Sequence, residues 1–382
     1  MPRLWRKGWP VLVLAMILSI SVWYKYLGSI PHAVTRRVAI KDEQAGSLET
    51  FVIEEAQAKD AATINKDTWC EPSVPCVYPD AADIRFIVLT FNRAESLRKC
   101  LARLNDVELD GRVGSLEIFI DRFNDGRFHE ETLQVAETFE WSRGQKRVHL
   151  QHQHVGIYGQ WIDSWRPTAN LNELAIYVED DVELSPFAYR WLREMHKSQG
   201  HKEKISGYSL QDSNVIVVKG KRVYEEVNKV SRERLQNYPA YFYRVAGTWA
   251  FAPHPVQWAK FQDWFHTEAK KIKHPYVPNA ALYTSWYKTF ERQNSERSMW
   301  TMWFIYFTHA NDLSALVSNV PQFKGKKGVS ISCNRREKGL HFSKKKTRSC
   351  ENQLLLSWEE NISPYDGQLP LIGYDGLFIS MK

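Results

Sequence analysis

The sequence predicts an α/β fold built on a mostly parallel sheet. Short apolar runs with strand composition alternate with segments of helical spacing from Ile84 to His196, the pattern of βαβ units. Polar residues gather where those runs end: Thr90–Arg93, Asp121 and Glu179–Asp181. In parallel sheets the carboxyl ends of the strands are where ligands bind. GxGxxG and GxxxxGK[ST] are both absent, which removes the main support for dinucleotide and P-loop readings.

The elements follow in order. Ile84–Thr90 is a strand and Phe91–Arg93 a turn. Ala94–Leu104 carries Leu97, Cys100, Leu101 and Leu104 at helical spacing, so Cys100 reads as a buried, inert thiol. Leu116–Ile120 is a second strand, closed by Asp121 and the turn Asn124-Asp125-Gly126; a helix over Glu130–Phe139 follows. Arg147–Leu150 is a third strand. The glycine-bearing stretch from His154 to Trp161 leads into a helix, and Asn172–Val178 is the fourth strand. Ser185 and Pro186 are expected to cap and open a helix reaching about His196. Ile205–Leu210 is a further strand, residues 219–240 an insertion with one helix, and Leu316–Pro321 a last strand.

The chain is organised around Glu179-Asp180-Asp181, at the end of the apolar run Ile176-Tyr177-Val178. Three adjacent carboxylates repel one another, and burial raises their pKa values. A hard divalent cation such as magnesium or manganese would remove the conflict; a solvated acidic turn is the alternative.

Bulk properties bound the rest. The 382 residues are 43% hydrophobic with a formal charge of +7, enough for one large domain or two small ones. That charge suits an anionic ligand, a membrane surface or nucleic acid without choosing among them. Arg3, Arg6 and Lys7 precede an apolar run from Trp9 to Tyr24 flanked by aromatics, as in a membrane anchor whose N-terminus is cytoplasmic. A cleaved signal peptide is the rival, but no clear small-x-small site precedes a mature start. Residues 1–8 read as a cytoplasmic tail, 9–26 as the signal anchor, 27–82 as a luminal stem, 83–350 as the main domain and 351–382 as an extension packed on it. An oxidising compartment makes disulfides available to the five cysteines: Cys70 with Cys76, and Cys333 with Cys350.

Phe86-Ile87-Val88-Leu89-Thr90-Phe91-Asn92-Arg93 resembles the opening strand and turn of family-2 glycosyltransferases. Val178-Glu179-Asp180-Asp181-Val182-Glu183-Leu184-Ser185-Pro186-Phe187 resembles the acidic motif of N-acetylglucosaminyltransferase I, as does His129-Glu130-Glu131-Thr132. The resemblance, over roughly residues 84 to 345, implies a GT-A fold: a Rossmann-like mixed sheet with helices on both faces. It implies a UDP-sugar donor, Mn2+ or Mg2+ as cofactor, and a glycan or glycoprotein acceptor. Asp181 would hold the metal, Asp180 and Glu179 would serve the ribose or support the metal, Asp121 would contact the uridine, and Thr90 and Arg93 would line the nucleotide. Extra residues between Asp121 and His129 leave Asp125 as the alternative to Asp121. Tyr241–Ala252 resembles the glycine-tryptophan segment on the acceptor side of these enzymes, with Trp249 as its candidate ring; plain core packing is the alternative.

An inverting transfer needs a carboxylate as general base beside the acceptor hydroxyl. Glu296, in the tryptophan-rich stretch Ser285–Phe307, is the first candidate and Asp263, beside Trp264, the second. From Lys324 to Arg348 there are ten Lys or Arg and one acid, a solvated loop or a lid complementing the diphosphate. The resemblance makes His341 in this segment a further metal ligand, and a Cys333–Cys350 bridge would tie the segment at its base. The implied protein is a single-pass type II membrane enzyme of the Golgi or endoplasmic reticulum, best read as transferring N-acetylglucosamine with inversion. A family-2-like transferase with another donor and a catalytically inactive carbohydrate-binding protein are the alternatives. The anchor and the oxidising compartment argue against nucleic acid as a partner.

Overall fold

A computed structural model describes residues 74–168, 173–202, 204–211, 217–218, 221–222, 235, 237–320, 329–339, 347–358 and 367–382. The expected anchor (9–26), most of the stem, Cys70, most of the insertion and His341 lie outside the described residues. Among the described residues no helix is long and apolar enough to cross a membrane.

The first half runs β1 (Ile84–Thr90), α1 (Ala94–Asn105), β2 (Gly114–Ile120), α2 (Glu130–Thr138), β3 (Lys146–Leu150), α3 (Gly156–Ile162), β4 (Leu174–Glu179), β5 (Val182–Leu184), α4 (Ala188–Gln199) and β6 (Ile205–Ser209). After a short hairpin, β7 (Val217–Val218) and β8 (Lys221–Arg222), come β9 (Ala240–Tyr243), β10 (Phe251–Pro253), α5 (Pro255–Thr267), α6 (Ala281–Arg292), α7 (Thr301–Ala310) and β11 (Ser314–Ser318). Then follow β12 (Ser332–Asn334), β13 (Pro370–Ile372) and β14 (Phe378–Met381).

Ten strands form one sheet in the order β14-β13-β9-β11-β6-β10-β4-β1-β2-β3. The half from β4 to β3 is parallel throughout, whereas β10 runs antiparallel to both its neighbours. The sheet is therefore mixed. Strand alternation sends Ile84, Phe86 and Val88 into a core with α1, α2 and α4, and Ile87 and Leu89 into a second core with α3, α5 and α7. Helices thus cover both faces.

Several expected boundaries move. Ser185 does not cap a helix: its Oγ accepts from Phe187 N at 3.1 Å and donates to Leu355 O at 2.6 Å, so it closes a turn and α4 begins only at Ala188. The aromatic stretch 241–252 divides into β9 and β10, with Ala250 at a left-handed φ of 68°. The tryptophan-rich stretch divides into α6 and α7, parted by Asn294 at φ 51° and a 3-10 turn over Glu296–Ser298. α5, with Pro255 in its first turn, has no counterpart in the periodicity reading, because its apolar residues do not form a single stripe.

Residues 76–82 belong to the packed body: Cys76 N bonds Asp163 O at 2.7 Å, and Tyr78 OH donates to Ser164 O at 2.7 Å. The ring of Tyr78 covers Arg85, 4.4 Å from its guanidinium. Beneath it lies a buried ion network. Arg85, fully buried on β1, contacts Glu117 at 3.1 Å and Glu173 at 3.0 Å. Glu117 also accepts from Arg147 at 2.9 Å and Ser115 at 2.7 Å, and pairs with His149 at 2.8 Å. Cross-strand register sets this: Glu117 lies opposite Ile87 on one side and Arg147 on the other. Burial pushes the Glu117 carboxyl up, but His149, Ser115 and Arg147 outweigh it and hold its pKa below the ordinary value.

Removing one member strands a buried charge. Glu117→Ala is expected to cost about 3–5 kcal/mol in urea unfolding. Because the folded-state pKa of Glu117 is depressed, the unfolded chain binds more protons in acid. Its stabilisation is present above the ordinary value of 4.5 and is lost as pH falls. Unfolding midpoints measured below that pH should fall less steeply in Glu117→Gln than in the parent.

Candidate functional site

Strand order reverses at β1. β2 and β3 continue to one side, and β4 lies on the other. Such a switch point opens a crevice beyond the carboxyl ends of the two parallel strands. The register of β1 with β4 sets Leu89 opposite Glu179, so Thr90–Arg93 and Glu179–Asp181 leave the sheet side by side.

The three acids then part. Glu179 turns to the face of α3, where its Oε1 accepts from Trp161 Nε1 at 3.2 Å. Burial, and next the charge of Asp181, raise its pKa to about 8. Asp180 is buried beneath Arg93. Its Oδ2 accepts from Thr90 Oγ1 at 2.8 Å and Arg93 Nε at 3.2 Å, and its Oδ1 takes Arg93 Nη2. Burial raises its pKa to about 6 against the opposing pull of Arg93. Asp181 Oδ1 accepts from Asn334 Nδ2 at 3.0 Å, while its Oδ2 has Arg93 Nη1 at 3.5 Å, the limit of a hydrogen bond.

Asn334 arrives through β12, which pairs antiparallel with β5 and sets Asn334 opposite Val182 and Cys333 opposite Glu183. Arg335 follows, buried. It contacts Glu183 at 3.0 Å and Glu337 at 2.9 Å, and donates to Ser96 O at 2.9 Å and Asp180 O at 2.7 Å. Cys333 is bonded to Cys350. Cys76 is also disulfide-bonded, with its expected partner Cys70 outside the described residues. Cys100 is a buried free thiol.

Among the described residues no three His, Cys, Asp or Glu side chains converge as a metal cage. The set fits a cation held by one protein carboxylate. Asp181 Oδ2 is the oxygen of the Asp180–Asp181 pair without a close partner, and magnesium-type sites often complete their shell with phosphate and water.

The other expected residues take these positions. Asp121 follows β2 and is buried. Its carboxylate accepts from Arg122 N at 2.9 Å, Val155 N at 2.9 Å and Gly156 N at 3.0 Å, and pairs with His154 at 3.0 Å. It therefore caps the start of α3. Asp125 is exposed and paired with Arg127 at 2.7 Å. Trp249 is partly buried, with the guanidinium groups of Arg336 and Arg348 over its ring at 5.9 and 5.8 Å, and its carbonyl accepts from Ser332 Oγ at 2.6 Å. Glu296 lies in the turn before α7, its carbonyl accepting from Tyr158 OH at 3.1 Å. Asp263 sits on α5, 68% exposed, and pairs with Arg166 at 2.8 Å. Glu296 is thus linked to α3, which also carries Trp161; Asp263 is tied to a surface arginine.

Asn334 and Arg335 were not singled out by sequence. Their signal was the basic segment, but residue type and spacing do not separate Arg335, buried against Glu183, from the exposed Lys338 three residues on.

No family model matches the chain, and no curated protein matches it. Among solved structures a weak likeness is to a mannosyltransferase, PcManGT from Pyrobaculum calidifontis, in complex with GDP-Man and Mn2+. Identity is 14%, over 46% of this chain and 45% of that one, with a TM-score of 0.29. The match spans less than half the length of that protein.

The bridge that holds the Arg335 segment closes a loop of separation 17. Replacing Cys333 and Cys350 by alanine should lower stability by about 3 kcal/mol, read as a shift in the denaturation midpoint under oxidising conditions, where the second bridge at Cys76 stays closed.

Proposed function

We propose that this chain is a metal-dependent glycosyltransferase that uses a nucleotide-diphosphate sugar. The observation that carries the reading is the meeting of Thr90, Arg93, Asp180 and Asp181 at the switch point of the sheet. A nucleotide diphosphate needs a cationic group and a metal anchor on one rim, and this rim offers Arg93 beside Asp181. The resemblance of the acidic motif to N-acetylglucosaminyltransferase I favours UDP-N-acetylglucosamine as donor, with inversion. A GT-A domain held by an N-terminal anchor in the lumen of the Golgi or endoplasmic reticulum is the matching setting, with a glycan or glycoprotein as acceptor.

In this reading Asp181 holds the cation through Oδ2, and Asn334 orients the carboxylate through Oδ1. The metal would stabilise negative charge on the diphosphate as it leaves. Asp180 positions Arg93, and Glu179, held by Trp161, is the candidate for the ribose or for orienting the other two acids. His341 is a further ligand candidate from the basic segment. Asp121 acts on the uridine indirectly, by holding the start of α3, since its oxygens already accept from three backbone amides and meet His154. Trp249 offers a ring for the acceptor sugar.

The acceptor hydroxyl oxygen attacks the anomeric carbon from the side opposite the diphosphate. Its proton passes to a carboxylate, and the bond to the diphosphate oxygen breaks. Glu296 is favoured as that base over Asp263, because its turn packs on α3 while Asp263 is exposed and already paired with Arg166.

The test is UDP release from a panel of UDP-sugars, with manganese or with chelator, and with and without glycan acceptors. One donor should stand out, and chelation or Asp181→Asn should reduce turnover at least about 100-fold, the scale of losing a transition-state charge contact. Glu296→Gln should reduce kcat with little change in donor KM. Donor binding without turnover in the presence of many acceptors would favour the carbohydrate-binding alternative. Absence of any manganese-dependent nucleotide binding would overturn the metal assignment.

A further inference from the structure

Arg93 stands where two requirements collide. Its guanidinium grips Asp180 side-on through Nε and Nη2, and its Nη1 points at Asp181 Oδ2 from 3.5 Å. The same Nη1 donates to Lys338 O at 3.4 Å, so one side chain ties the β1 turn, the acidic turn and the disulfide-closed segment. A cation ligated by Asp181 Oδ2 would sit about 2.1 Å from that oxygen. It would therefore lie within about 6 Å of Nη1, where like charges repel strongly in a partly desolvated site. Arg93 and a metal compete for Asp181 Oδ2, and an anion placed between them would relieve that competition.

Of the two arginines at the acidic turn, Arg93 is the more exposed. Arg335 is buried and saturated by Glu183, Glu337, Ser96 and the Asp180 carbonyl. Asn334 is uncharged and buried. Glu179 faces Trp161. The Arg93 side chain, in contrast, is 28% exposed while those of Asp180 and Asp181 are 2% and 6% exposed, so its outer nitrogens can reach a ligand in the crevice while the carboxylates stay covered.

Resting on the glycosyltransferase reading above, we propose that Arg93 is a resident counter-cation that keeps free metal off Asp181 and releases that carboxylate only when a nucleotide diphosphate offers the guanidinium another anion. Metal and nucleotide then bind as a coupled pair. The diphosphate lies between Arg93 and the cation, and its charge converts their repulsion into two attractions. By linkage each ligand raises the affinity for the other by the same factor. The arrangement prevents the acidic turn from collecting a divalent ion in the absence of donor.

The experiment measures Mn2+ affinity of the full chain by its paramagnetic signal, with and without UDP, for the parent, Arg93→Met, Arg93→Gln and Arg93→Lys. Thermal melts of each variant establish that it is folded. The parent should bind Mn2+ weakly alone and about tenfold or more tightly with UDP, within the usual range of coupling factors. Arg93→Met and Arg93→Gln should bind Mn2+ alone about tenfold better than the parent, bind UDP more weakly, and lose most of the coupling. Arg93→Lys keeps the charge but loses the side-on grip on Asp180, so its affinity for Mn2+ alone should fall between that of the parent and that of the neutral variants. Asp181→Asn should abolish Mn2+ binding to the protein in the parent and in Arg93→Met alike. Equal Mn2+ affinity in the parent and the neutral variants, with coupling intact, overturns the counter-cation role and leaves the transferase reading standing. No Mn2+ binding to any form, even with UDP, overturns the metal reading and this proposal together.

Discussion

The parallel pairing of β1 with β4 is the constraint on which the site depends. These strands are far apart in sequence and adjacent in the sheet, with Ile84 opposite Leu174 and Leu89 opposite Glu179. Because side chains alternate strictly, a one-residue slip would send Glu179, with Tyr177, to the face that Ile176 and Val178 now fill. The register is held from both sides. Above the sheet, Ile176 and Val178 fill the core of α1 and α4. Below it, Tyr177 stacks on Trp161 at 4.9 Å, and Trp161 in turn on Trp300 at 4.7 Å. The same Trp161 donates to Glu179, so packing and site share a residue.

The two ends of this half-sheet solve the same electrostatic problem in different ways. At one end Arg85, Glu117, Glu173, Arg147 and His149 lie under Tyr78 and, with Asp80 at the rim, satisfy one another. Nothing there is left open, which suits a structural role. At the other end Asp180 is satisfied but Asp181 keeps one oxygen with only a long contact to a partly exposed arginine. A carboxylate that is held in place but incompletely paired is suited to ligation, because binding need not first break a strong bond. The difference between the two clusters is one of completeness, not of composition.

The acidic turn is finished by a segment from far along the chain. β12 pairs with β5 and brings Asn334 to Asp181 and Arg335 to Glu183. The Cys333–Cys350 bridge closes the loop that carries these residues and also Arg336 and Arg348, which flank Trp249. The expected acceptor-side ring and the expected metal ligand are therefore braced by one short, cross-linked stretch. Its positive charge meets acids on the protein side through Arg335 and an aromatic face through Arg336 and Arg348.

Much of the framework was legible in the sequence. β1, the start of α1 and the acidic turn follow directly from apolar runs and their polar ends, since a buried strand and a helix each impose a period on their residues. The Cys333–Cys350 pairing was legible because two cysteines flanked one basic segment. Local period carries no information about partners, and there the tertiary structure decided. It split three adjacent acids among three environments, and it made a charged Arg85, in an otherwise apolar strand, the centre of a buried network. It turned Asp121 into the cap of α3, and set Arg93 upon Asp180 and Asp181. The physical reason is the same in each case. A carboxylate's role is fixed by the donors that reach it, and here those donors come from strands and loops that only the folded sheet brings together.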